Sequence, residues 1–105
     1  MKPEIRYWAN GNKQSEIYRV NNQPHRIDDP AVTWWYKDGQ KESKSYIVNG
    51  EFHRIDGPAI IGWHYNGQKE EEEYWINGKE YTKEEFEASW EHQSYLFDLE
   101  VAENF

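Results

Sequence analysis

The sequence predicts a mainly β fold: an antiparallel meander of three 28-residue hairpin repeats with a C-terminal capping helix. Three observations carry this. Asn10-Gly11, Asp38-Gly39 and Asn66-Gly67 recur every 28 residues, and so do Asn21-Asn22, Asn49-Gly50 and Asn77-Gly78. Tyr18, Tyr46 and Tyr74 keep the same step, as do Val20, Val48 and Ile76. Aromatic residues make up 17% of the chain, with six Trp and eight Tyr, which favour strands and bury a large area each. Turn signals at a fixed period mark a repeat array, in which each unit buries its apolar face on its neighbours.

The 105 residues read as one domain, 1–105, with repeats at about 5–30, 31–58 and 59–81 and a helix and tail over 82–105. In the second repeat, "AVTWWYK" (31–37) is β-branched and aromatic and forms a strand. Asp38-Gly39 turns the chain, because Gly takes positive φ without steric cost. "KESKSYIV" (41–48) returns, Asn49-Gly50 turns again into the short segment "EFHRI", and Asp56-Gly57-Pro58 makes a corner before Ala59 opens the next strand. Repetition gives roughly six main strands. In "YTKEEFEASWEH", Thr82 and Glu85 have capping-box spacing, which predicts a helix over about 83–94 with Phe86 and Trp90 on one side. The tail "SYLFDLEVAENF" fits either more helix or an added edge strand.

Positions kept constant among repeats are assigned to the core face: Tyr7/Trp35/Trp63, Tyr18/Tyr46/Tyr74, Val20/Val48/Ile76, Ile27/Ile55 and Ala31/Ala59. The varied set, Trp8/Tyr36/His64, Arg19/Ile47/Trp75 and Val32/Ile60 with Trp34/Gly62, falls on the opposite face by alternation. Part of that face is expected to lie under the helix through Phe86 and Trp90, and the remainder to form an aromatic binding patch.

"HRIDxPA" occurs twice, at 25–31 and 53–59. As structure, it is a corner brace in which Arg and Asp make a charge-assisted hydrogen bond. As chemistry, His25 with Asp28 and His53 with Asp56 are candidate acid–base pairs or metal ligands. The motif is doubled and no Ser or Cys nucleophile is placed with it. The four His form no close pair and there is no Cys, so no catalytic residue, metal or cofactor is expected.

The net charge of −8 is uneven. Residues 1–66 hold nine Lys/Arg and eight Asp/Glu, whereas 67–105 hold three Lys and twelve Asp/Glu. An acidic end suits solubility or a basic protein partner, and disfavours direct nucleic-acid binding. The start, "MKPEIRYWANG", lacks the apolar run of a secretory signal, no segment is apolar enough to span a membrane, and the lack of Cys favours a cytoplasmic location. The sheet's two edges make a homodimer a further expectation. Candidate binding residues are Trp8, Trp34, Tyr36, His64 and Trp75, the acidic Glu71, Glu72 and Glu73, and the corner residues Arg26 and Arg54. The first reading is a non-enzymatic protein-binding module. The alternative is capture of a small ligand, a nucleotide or sugar, stacked on Trp or Tyr and met by Arg26 and Arg54.

The Asn-Gly turns, "HRIDGPA" and the closing "NGKEYTKEEF" resemble a family of short β-repeat proteins encoded by bacteriophages and giant viruses, themselves distantly similar to MORN-type repeats. The match covers about residues 7–90, and its 28-residue unit departs from the shorter Gly-rich MORN pattern. The resemblance implies a hairpin array in a viral setting. With it comes the expectation of a small acidic protein that inhibits a host defence protein in the host cytoplasm. It brings no catalytic residues.

Overall fold

A computed structural model describes residues 2–103. The chain is mainly β, an antiparallel meander ending in helix. The seven-stranded sheet is formed by β1 (Glu4–Tyr7), β2 (Lys13–Ile17), β5 (Val32–Trp35), β6 (Lys41–Ser45), β9 (Ile60–Trp63), β10 (Lys69–Ile76) and β11 (Lys79–Tyr81), in that spatial order. Two short hairpins, β3 (Arg19–Val20) with β4 (Gln23–Pro24) and β7 (Ile47–Val48) with β8 (Glu51–Phe52), stand at the ends of β2 and β6. Two helices, α1 (Lys83–Ala88) and α2 (Trp90–Glu103), follow.

Two kinds of turn alternate along the meander, and side chains decide which is used. At Gly11, Gly39 and Gly67 only the Gly has positive φ, near 90°, and the strands that flank these turns slip register by one residue. That is a turn with a bulge, which adds twist. Asn10, Asp38 and Asn66 each accept the backbone N–H two residues on at 3.0 Å, which fixes the start of the turn. At Asn49-Gly50 and Asn77-Gly78 both residues have positive φ, as the mirror-image two-residue turn requires. Asn21-Asn22 makes the same turn without Gly, at φ 52° and 64°, because Asn tolerates the left-handed region.

The 28-residue period reappears as hydrogen bonds between successive units. Arg26 N–H donates to the Ile47 carbonyl and Arg54 N–H to the Trp75 carbonyl, each at 3.0 Å. Gly50 N–H donates to Pro24 and Gly78 N–H to Phe52. The short hairpins therefore form a second ladder beside the main sheet.

Burial corrects the expected core. Ala31, Ala59, Tyr46 and Ile76 are buried as expected, but Tyr7 and Ile27 are each 59% exposed and Val20 is 40% exposed. All three belong to the first repeat, whose β1 is the edge strand of the sheet among the described residues. Their equivalents become more covered along the chain, Val20 and Val48 giving way to Ile76 at 2%. Ile47, assigned to the opposite face, is buried, and Ile61 joins it. Ile47 pairs with Phe52 in its short hairpin and accepts Arg26 N–H from the neighbouring unit, so strands flank it on both edges.

The helical end is also corrected. The single helix over 83–94 is two helices, because Ser89 is extended (φ −66°, ψ 146°). Its hydroxyl donates to the Phe86 carbonyl at 2.6 Å and accepts from His92 N–H at 3.2 Å, so it ends α1 and begins α2. Phe86 packs on Tyr74 of the constant set, with ring centroids 4.8 Å apart, and not on the varied face. Trp90 is 78% exposed. The ambiguous tail is helix through Glu103, and its last two residues, 104–105, lie outside the described residues.

Candidate functional site

The histidines of the repeated corners are placed by the short hairpins. His25 and His53 lie just after β4 and β8, and each ring Nδ1 accepts the backbone N–H of the left-handed Asn in the next unit: Asn49 at 2.9 Å and Asn77 at 3.0 Å. Their role in the fold is to join units. Among the described residues, no group of three His, Asp or Glu is placed to hold a metal ion.

Arg26 and Arg54 lie flat over the preceding tyrosines, each guanidinium 4.0 Å from the ring centroid of Tyr18 or Tyr46. Arg54 is pinned further by Asp56 at 2.8 Å and by the Pro58 carbonyl at 3.0 Å. The first corner is looser. Arg26 reaches Asp29 at 3.6 Å and Asp28 takes φ 67°; Asp29 stands where the second corner has Gly57, at which a Cβ would lie 3.1 Å from the Arg54 guanidinium carbon. A cavity of about 260 Å³ lies between the two corners, lined by Arg26, Ile27, Tyr46, Arg54, Ile55 and Tyr95. His92 of α2 anchors the helix there, its Nδ1 lying 2.7 Å from the Ile55 carbonyl.

The varied aromatics do not form one free patch. Trp8 Nε1 donates to the Trp35 carbonyl at 3.1 Å, and the Tyr36 hydroxyl donates to the Trp63 carbonyl at 2.7 Å. These are equivalent stitches between neighbouring units. Burial raises the Tyr36 hydroxyl above its ordinary value, with Glu42 adding to the effect. His64, at the same repeat position, is exposed and lies 3.7 Å from Glu70. Trp75 is half-buried, 5.3 Å from Phe52, and donates to Glu73 at 3.1 Å. Trp34 is 36% exposed and stands opposite Ser15 and Ser43 in the sheet. Glu71 and Glu72 are exposed on β10, with Lys69 3.7 Å from Glu72, while Glu73 is half-buried.

The surface that sequence reasoning missed is on α2. At 3.6 residues per turn, His92, Tyr95, Leu96 and Leu99 share one side of the helix, and Trp90, Phe97 and Val101 share the opposite side. His92 and Tyr95 are half-buried toward the corners. Trp90, Phe97 and Val101 are 78%, 63% and 38% exposed. Glu91 and Asp98 fall beside this outer stripe, and α2 has no basic residue in its last turn. The signal was present in "SWEHQSYLFDLEV", where apolar residues recur on two sides of a helix instead of one. No helix among the described residues is long and apolar enough to cross a membrane. No known family model, curated protein or solved structure matches the chain.

Proposed function

We propose that the chain is a non-enzymatic protein-binding module that docks through its C-terminal helix and acidic third repeat. The observation that carries this reading is the outer stripe of α2: an aromatic and aliphatic row at i, i+7 and i+11, exposed and bordered by carboxylates. A helix face of this kind suits an apolar groove with a basic rim. Trp90 and Phe97 serve as anchors, and Glu71, Glu72, Glu91 and Asp98 supply attraction at the rim. The resemblance to viral repeat proteins adds the setting, a phage-encoded inhibitor of a host defence protein.

The test is capture of a host protein by the wild-type chain and by Phe97→Asp. One retained protein that is lost with Phe97→Asp, and whose binding weakens with added salt and with Glu72→Lys, supports the reading. Capture unchanged by all three removes it.

The cavity between the corners favours a second reading, capture of a small ligand with an apolar body and an anionic or hydroxylated end facing Arg26 and Arg54. A thermal-shift screen against nucleotides and sugars tests it. A ligand present at a hundred times its Kd stabilises by about 2.7 kcal/mol, which such a screen detects.

A further inference from the structure

The helical end closes one ladder of the array and leaves the other open. In the ladder of short hairpins, Arg26 N–H and Arg54 N–H reach into the next unit. The equivalent Thr82 N–H is taken by Glu85 Oε1 at 2.8 Å, inside the capping box of α1. In the main sheet, β10 pairs with β9 over Lys69–Glu73 and with β11 over Tyr74–Ile76. Among the described residues, the outer edge of Lys69–Glu73 therefore has no partner strand. At the far end of the sheet, β1 pairs, among the described residues, only with β2.

These two edges are the same kind of surface. Each return strand of the array receives the first strand of the next unit in a fixed register: Ser15 opposite Trp34, then Ser43 opposite Gly62. Advanced by one more period, the rule sets Glu71 opposite a residue at the position of Arg6, Trp34 and Gly62. The same rule shows what Lys69 would cover. Lys13 lies over Trp35, 5.5 Å from the ring centroid. Moved forward by two periods, the same relation puts Lys69 over Tyr7, which is 59% exposed where Trp35 and Trp63 are half-buried.

We propose that a second copy of this chain adds its β1 to the outer edge of Lys69–Glu73, continuing the sheet head to tail. Arg6 of one copy then meets Glu71 of the other, and Tyr7 gains the Lys69 ammonium. The one like-charge meeting, Glu73 with Glu4, is offset because Glu4 is already ion-paired with Arg19 and the Glu73 carboxylate already accepts a hydrogen bond from the Trp75 indole N–H. The run Glu70–Glu73 also repels a second β10, so it selects β1 over the symmetric pairing. The contact is heterologous, so each added copy presents the same two edges and growth continues past two copies unless the rotation closes a ring.

Sedimentation velocity over a wide concentration range at low salt tests this. The mean mass of the wild-type chain is expected to rise continuously with concentration. Arg6→Glu and Glu71→Arg each place like charges at the contact and should weaken association roughly tenfold. An equimolar mixture of the two variants restores the opposite-charge meeting at every contact and should recover wild-type association. Phe97→Asp, on α2, should leave association unchanged. A wild-type chain that stays monomeric throughout overturns the proposal. So does a closed dimer indifferent to both charge variants, a mixture that fails to recover, or loss of association with Phe97→Asp. Near-ultraviolet circular dichroism confirms that each variant retains its aromatic packing.

Discussion

His25 and His53 show how a residue that looks chemical can be occupied by the fold. Each ring nitrogen accepts a backbone N–H from a left-handed Asn 24 residues further on. The third repeat has Tyr81 at the equivalent position, and no later unit there offers an Asn. The Arg series ends in the same way: Arg26 and Arg54 cover Tyr18 and Tyr46, whereas Thr82 stands in the third position and Phe86 covers Tyr74 instead. Removing one joint should be measurable but modest, since the bonded Asn is exposed. His53→Ala is expected to cost about 1 kcal/mol, read as a lower urea midpoint at unchanged slope. Ser15 argues the other way. It is 1% exposed, and its hydroxyl has no hydrogen-bond partner among the described residues. Ser15→Ala should leave stability unchanged or raise it by up to about 1 kcal/mol in the same experiment, because it removes a desolvated hydroxyl without opening a large space.

At the scale of elements, α1 depends on its first turn. Thr82 Oγ1 accepts Glu85 N–H at 3.1 Å, and Glu85 accepts Thr82 N–H at 2.8 Å. Thr82→Ala should cost about 1 kcal/mol of stability, read as a lower urea midpoint, while Phe86 stays packed on Tyr74. The hydrogen bonds from Thr82, the backbone N–H first, hold the Glu85 carboxyl below its ordinary value of 4.5. A lowered folded value means that the contribution is present in full above 4.5. It is lost as pH falls below 4.5 through the folded value. Urea midpoints of wild type and Glu85→Ala should therefore converge on acidification, and a gap that stays constant with pH would refute the cap's role. The capping box was legible because it is written in four consecutive residues. The break at Ser89 is hidden in the sequence, although Ser is a strong N-cap, because Phe86 and Trp90 at i and i+4 suggest one continuous face. The turns and strands were legible from the Asn, Asp and Gly pattern. The occupation of Trp8 and Tyr36 was not, because a bond from an indole or phenol to the next unit's carbonyl leaves no mark in periodicity.

At the scale of the whole molecule, burial is graded along the array. Val20, Val48 and Ile76 pass from exposed to buried, and Ile27 is more exposed than Ile55. Comparing repeats predicted one environment for each constant position, but each environment depends on what lies on either side. The first unit has a neighbour on one side, the second has one on both, and the third has the helices. Stability in such an array is a sum of unit terms and nearest-neighbour terms, so it should change with the number of internal units. Residues 31–58 hold four basic and four acidic side chains, so a duplicate adds no net charge. Inserted after residue 58, it would reuse the Arg-to-carbonyl, His-to-Asn and strand registers already present at both junctions. The lengthened chain is expected to unfold in one transition at a higher temperature than the natural chain. Deleting the first unit, whose apolar residues are the most exposed, should lower the transition less than deleting the second. A lengthened chain that melts lower, or in two steps, would mean that the second unit is fitted to its particular neighbours, Trp34 beside Ser15 on one side and Ser43 beside Gly62 on the other. The shared hydrogen-bond ladders would then account for the register of the array but not for its stability.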